Sequence, residues 1–166
     1  MSMISDSARS DIENWVDKYP AEEKQSAVMA ALRIVQDENS GSLTTELMDE
    51  VATLLEMPEI AVYEVATFYS MYELKLVGRH KICVCTNISC MLNNSKAVVD
   101  KLEDKLGVKL GETTADGEFT LKEVECLGAC VNAPVVQVGE NYYEHLNPAI
   151  NPDKIDQLLA ELRGES

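Results

Sequence analysis

No apolar run in the sequence approaches the ~18 residues that a membrane-spanning helix requires, which excludes direct membrane insertion through a helix. The opening stretch, MSMISDSARSDIENW, lacks both the basic-then-apolar layout of a secretory signal and the Arg-rich character of a transit peptide, so a cytoplasmic protein is expected. Positive charge is scarce. Lys and Arg number 14 against 29 Asp and Glu, for a formal net charge of −15. Nucleic acid is excluded as a partner, because binding it requires a positive field. The plain reading of the excess is a solvated acidic surface. Missing as well are a G-x-G-x-x-G fingerprint, a phosphate loop and a Ser–His–Asp signature, so this chain itself is expected to bind neither NADH nor flavin. The C-x-x-C of redox dithiols is absent. His80 and His145 have no partners at ligand spacing and read as surface or structural residues.

What remains is a chain of 166 residues, 46% hydrophobic and 26% charged, large enough for one compact domain or two small ones. Its first part reads as helices. Ser7 or Asp11 opens one that carries Ile12, Trp15 and Val16 and stops before Pro20. A second spans about Glu22 to Asp37 and ends at Asn39-Ser40-Gly41. Thr44 or Thr45 caps a third, and Pro58 starts a fourth, which carries Ile60, Val62, Val65, Phe68 and Tyr69. Near Gly78 the periodicity changes. Lys81 to Cys85 reads as a buried strand, Ser95 as the cap of a helix to about Leu106, and Asp116-Gly117 as a turn before a strand over Phe119 to Glu125. Val135 to Val138 and Tyr142 to Leu146 are further strand candidates, and Asn151 or Pro152 opens a last helix. The expectation is an α+β protein: a helical bundle over 1–77, then a thioredoxin-like α/β domain over 78–166.

Four of the five cysteines form two tight pairs, Cys85 with Cys90 and Cys126 with Cys130, written C-T-N-I-S-C and C-L-G-A-C. Closely spaced thiols on loops supply half-sites at low entropic cost, and four such thiols can enclose a metal centre. Gly128 and Ala129 are small enough for backbone amides to approach cluster sulfides. Structural zinc sites most often place two residues between paired ligands, whereas the gaps here are four and three. That inequality favours an iron–sulfur centre, with zinc and unliganded buried cysteines as the remaining readings. Cys83 lies two residues before Cys85 on the same strand face and is expected to be a small buried hydrophobe. Thr86 is a candidate for hydrogen bonding to a cluster sulfur, with an ordinary turn role as the alternative. Pro134 sits where thioredoxin-like folds often carry a cis proline.

The segments GRHKICVCTNISCML, ECLGACVNAPVVQV and EVATFYSMY closely resemble the small [2Fe-2S] subunit of respiratory NADH:quinone oxidoreductase, the thioredoxin-like ferredoxin subunit of complex I. The resemblance spans nearly the whole chain. It implies that Cys85, Cys90, Cys126 and Cys130 are ligands of one [2Fe-2S] cluster, which exchanges single electrons with a flavin. It further implies a partner subunit that binds FMN and NADH, other iron–sulfur subunits of the peripheral arm, and a place peripheral to the inner membrane within a larger complex. The 1–77 bundle is then expected to serve partner docking; the apolar stretch Phe68, Tyr69, Met71 and Tyr72 reads either as core packing or as a docking surface, with room for both on different faces. The same module in an NAD-linked hydrogenase or formate dehydrogenase, and a zinc-stapled interaction protein without redox activity, are the alternatives.

Overall fold

A computed structural model describes residues 3–164. The chain divides into two compact units, Met1–Leu76 and Val77–Ser166.

The first unit is helical. Helix α1 (Asp6–Val16) is capped by Ser5, whose side chain accepts from the Ala8 amide. Its start therefore lies before Ser7 and Asp11, because Ser5 already satisfies an orphan amide of the first turn. Trp15 is 40% exposed and carries the Lys18 ammonium 3.4 Å from its ring centroid. The single helix expected after Pro20 is instead a 3-10 segment (Ala21–Ala27), broken at Glu23 (φ −115°), followed by α2 (Val28–Glu38). Helix α3 (Thr45–Leu54) takes its cap from Thr44, and α4 (Glu59–Phe68) begins directly after Pro58. Ile12, Leu32, Val35, Val51, Leu55 and Val62 form the centre of the core. Buried Gln36 donates to the Met71 carbonyl at 3.2 Å and accepts from the Glu73 amide at 2.7 Å. One satisfied polar side chain thereby fixes the segment that follows α4.

The second unit is built on a four-stranded sheet in the order β2-β1-β3-β4. Strands β1 (His80–Cys85) and β2 (Phe119–Val124) are parallel, while β3 (Val136–Val138) and β4 (Asn141–Tyr143) run antiparallel. Two helices connect β1 to β2: α5 (Ile88–Leu92), in a stretch expected to be a loop, and α6 (Ser95–Leu106). Helix α7 (Lys154–Arg163) closes the unit. Asn94, in the left-handed region at φ 70°, rather than Ser95, precedes α6; Ser95 is buried as its first residue. Ile82 and Val84 of β1 point into a core with Val98, Leu102, Phe119, Leu121 and Ile155. Cys83 and Cys85 occupy the opposite face of the strand, also buried. The Ala133–Pro134 bond is cis, as the fold analogy suggested. Among the described residues, no helix is long and apolar enough to cross a membrane.

A candidate thiol centre at the end of the parallel strands

The parallel pairing of β1 with β2 places the two cysteine pairs at one end of the sheet. In register, Cys85 stands opposite Val124, so the chain leaves both strands at the same edge. From there α5 carries Cys90 back beside Cys85, and the turn Leu127-Gly128-Ala129 returns Cys130 beside Cys126. The Cys126 and Cys130 sulfurs are 3.4 Å apart. Two sulfurs each ~2.3 Å from one tetrahedral metal stand about 3.8 Å from each other, so this pair needs little adjustment to share an ion. Gly128, at φ 82°, adopts a conformation that glycine reaches without strain, and its amide donates to the Cys126 sulfur at 3.4 Å.

The buried pair completes the site. Burial pushes the Cys90 thiol up to about 11, and a hydrogen bond with Cys85 acts the same way; a backbone hydrogen bond from Val135 partly opposes them. The charge of Cys130 also reaches Cys90. One pair is buried and the other exposed.

Among the described residues, no three His, Cys, Asp or Glu side chains form a group that could hold a metal ion. A single tetrahedral ion requires all four sulfurs around one point, whereas a dinuclear cluster requires two at each iron. Two thiol pairs borne at one end of the sheet, with an amide already aimed at one sulfur, suit the dinuclear group.

Residues 12–163 match the sequence pattern of the thioredoxin-like [2Fe-2S] ferredoxin family. The chain belongs to that family. It is 48% identical over 149 residues to the E subunit of NADH-quinone oxidoreductase from Rickettsia felis, an alignment that covers 90% of this chain and 87% of the relative. To one of the E subunits of the Rhizobium meliloti oxidoreductase, numbered 2, it is 44% identical over 155 residues, covering 93% and 88%. Among solved structures, an NAD+-reducing [NiFe]-hydrogenase in its H2-reduced state superposes with a TM-score of 0.68 at 19% identity. That match covers 84% of this chain but only 22% of the hydrogenase chain, and at this identity it shows the fold alone.

In this ferredoxin the remaining sequence candidates fall away from the thiols. His80 stands at the other end of β1, its Nε2 buried without a hydrogen-bond partner and 3.8 Å from the Glu118 carboxylate. His145 is exposed, and its amide donates to the Asn132 carbonyl at 2.9 Å. Neither donor of Thr86, a candidate for a cluster sulfur, is aimed at a thiol: its hydroxyl donates to Glu123 at 2.5 Å and its amide to the Val124 carbonyl at 3.3 Å. Tyr142 donates through its hydroxyl to the Leu127 carbonyl at 2.8 Å and so pins the Cys126–Cys130 turn. Helix α5 had a readable signal: Asn87 is a favoured N-cap type, and its side chain accepts from the Ile88 amide at 2.7 Å.

The asymmetry of burial has a measurable consequence in the cluster-free chain. At pH 8 a thiolate-directed alkylating reagent is expected to label the exposed Cys126 and Cys130 well before Cys90, as followed by mass spectrometry of peptides. The folded-state value of Cys90 lies above its ordinary one of 9.0, so the folded chain holds the proton more tightly than the unfolded chain does. The sign follows: stability from this group is intact below about pH 9 and is lost as pH rises toward about 11. Cys90 labelling as fast as Cys126 at pH 8 would contradict this geometry.

Proposed function

We propose that Cys85, Cys90, Cys126 and Cys130 hold one [2Fe-2S] cluster and that this chain is the one-electron carrier subunit of an NADH:quinone oxidoreductase. The observation that carries the assignment is the parallel β1–β2 register, which brings the ends of both thiol-bearing strands to one edge of the sheet. When bound, the cluster supplies reversible one-electron redox chemistry. The protein's part is ligation and sulfur hydrogen bonding: Gly128 and Val135 amides donate to cysteine sulfurs, and Tyr142 holds the exposed turn.

The partner we propose is a flavoprotein subunit that binds FMN and NADH, with other iron–sulfur subunits beyond it. Two sets of residues support docking. Beside the thiols, Ile88, Leu92 and Val131 are 66%, 77% and 96% exposed. On the helical unit, Phe68 and Leu76 are 80% and 82% exposed. Side chains of this size left in water suit surfaces that a partner covers. We assign partner docking to residues 1–77 and the cluster to 78–166. Relatives at 44% and 48% identity that bear the name of an NADH-quinone oxidoreductase subunit favour the quinone oxidoreductase over the hydrogenase, and with it a place peripheral to the inner membrane on its cytoplasmic side.

Reduction of the purified full chain with dithionite tests the assignment. A spin-half [2Fe-2S] signal with ~2 iron and ~2 sulfide per chain is expected. Stoichiometric zinc without visible absorption would overturn it. Adding NADH alone should leave the chain oxidised, whereas NADH with an FMN-bearing flavoprotein subunit should reduce it.

A further inference from the structure

Beyond the ligands themselves, two side-chain bridges connect the half-sites. The backbone ladder between the two segments ends where the Thr86 amide donates to the Val124 carbonyl at 3.3 Å. Past that point the strands diverge into the loops that bear the thiols. There Thr86 Oγ1 donates to Glu123 Oε1 at 2.5 Å, and Asn87 Nδ2 donates to Glu125 Oε2 at 2.5 Å. Asn87 is used twice, since its Oδ1 also accepts from the Ile88 amide and so caps α5, the helix that carries Cys90. Glu125 is the immediate neighbour of Cys126.

We infer that Thr86–Glu123 and Asn87–Glu125 form a strap that sets the separation of the two thiol pairs, with Asn87 as the positioning residue common to both. This rests on the ligand assignment above. The physical reason lies in how the site is built. Each pair is ordered by its own short loop, and the backbone ladder that aligns β1 with β2 stops at Thr86 and Val124, before Cys90, Cys126 and Cys130. A neutral donor on a carboxylate makes a charge-assisted bond: Thr86 reaches back to Glu123 within the ladder, and Asn87–Glu125 adds one link beyond Val124, where the backbone pairing stops. With the strap in place the four sulfurs are held near their working positions, so retention of the cluster does not require ordering the loops anew.

The asymmetry of Asn87 makes the idea testable without disturbing the cap. Asn87→Asp keeps an oxygen for the Ile88 amide but sets a second carboxylate against Glu125. Adding Glu125→Gln restores the bond with donor and acceptor exchanged. In the full chain carrying its cluster, loss of visible absorbance to an iron chelator under anaerobic conditions is expected to be about tenfold faster in Asn87→Asp. The double variant Asn87→Asp/Glu125→Gln should return to within about twofold of the parent. Thr86→Val, which removes only the hydroxyl, should accelerate loss about threefold. The spin-half signal of the reduced protein should broaden in Asn87→Asp and narrow again in the double variant.

An Asn87→Asp protein that loses its cluster at the parent rate overturns the strap. So does a double variant as fast as the single one. A loss rate that only tracks a lowered unfolding midpoint of the cluster-free chain also overturns it, since the effect is then general destabilisation. A parent chain without a [2Fe-2S] signal overturns the ligand assignment, and the strap with it. A parent cluster with unaffected variants overturns the strap alone.

Discussion

Cys85→Ala is expected to abolish the cluster, dropping iron from about two per chain to near zero, whereas Cys83→Ala keeps it. The two residues share one face of β1 and both are buried, at 3% and 8% exposure. Burial therefore does not separate them; position along the strand does. Cys85 is the last residue of β1, where the chain turns toward α5, and its sulfur bonds to Cys90. Cys83 is paired in mid-strand, opposite Lys122 on one side and Gln137 on the other, away from the edge where the loops leave. Removing one thiolate of four leaves one iron short of a ligand. Removing the Cys83 thiol costs only a small buried group, about 1 kcal/mol of stability. Iron analysis and visible spectra of the two variants decide the matter, and an intact cluster signal in Cys85→Ala would sink the ligand assignment.

Gly78→Ala is expected to be the most damaging single-methyl change in the second unit, lowering stability by about 3 kcal/mol. A Cβ at this position would stand 2.8 Å from the Phe119 carbonyl carbon and 2.9 Å from its nitrogen. Those are backbone atoms of β2, which pairs with β1 along its whole length, so they cannot swing aside as a side-chain tip can. Any retreat of residue 78 also stretches the 2.6 Å bond from its amide to the buried Thr120 hydroxyl. The comparison to make is Gly111→Ala. Gly111 has φ 86° and nothing within 4 Å of an added Cβ, so its cost is conformational, about 1 kcal/mol. Urea unfolding of both variants should show the larger loss at Gly78; equal losses would mean that β2 yields to the methyl.

Much of the chain is legible residue by residue because its signals are local. Thr44 as a cap, Pro58 before α4, and the break at Asn39-Ser40-Gly41 are decided within a single helical turn. Where expectation and structure differ, competing local solutions exist. Ser5 lies just ahead of Ser7 as an equally good cap, and Asn94 precedes Ser95. Helix α5 is short enough that no apolar period could announce it; only Asn87 did. The outward positions of Trp15 and Ile60 were not legible, since periodicity ranks faces by hydrophobicity and both are apolar yet exposed.

The sequence by itself determined the two half-sites, because a pair of cysteines with three or four residues between them is confined by the reach of its own loop. It also determined the chemistry those pairs favour and, through the resemblance of the surrounding segments, the family. Only the tertiary structure decided that the two half-sites leave the sheet at the same end. That depends on β1 and β2 being parallel and in register, a pairing between residues nearly forty positions apart that no local pattern encodes. The same pairing placed Cys83 in mid-strand, short of the loops, and brought Asn87 and Thr86 onto the carboxylates of Glu125 and Glu123. Side chains on separate loops acquire partners only once the strands beneath them are aligned.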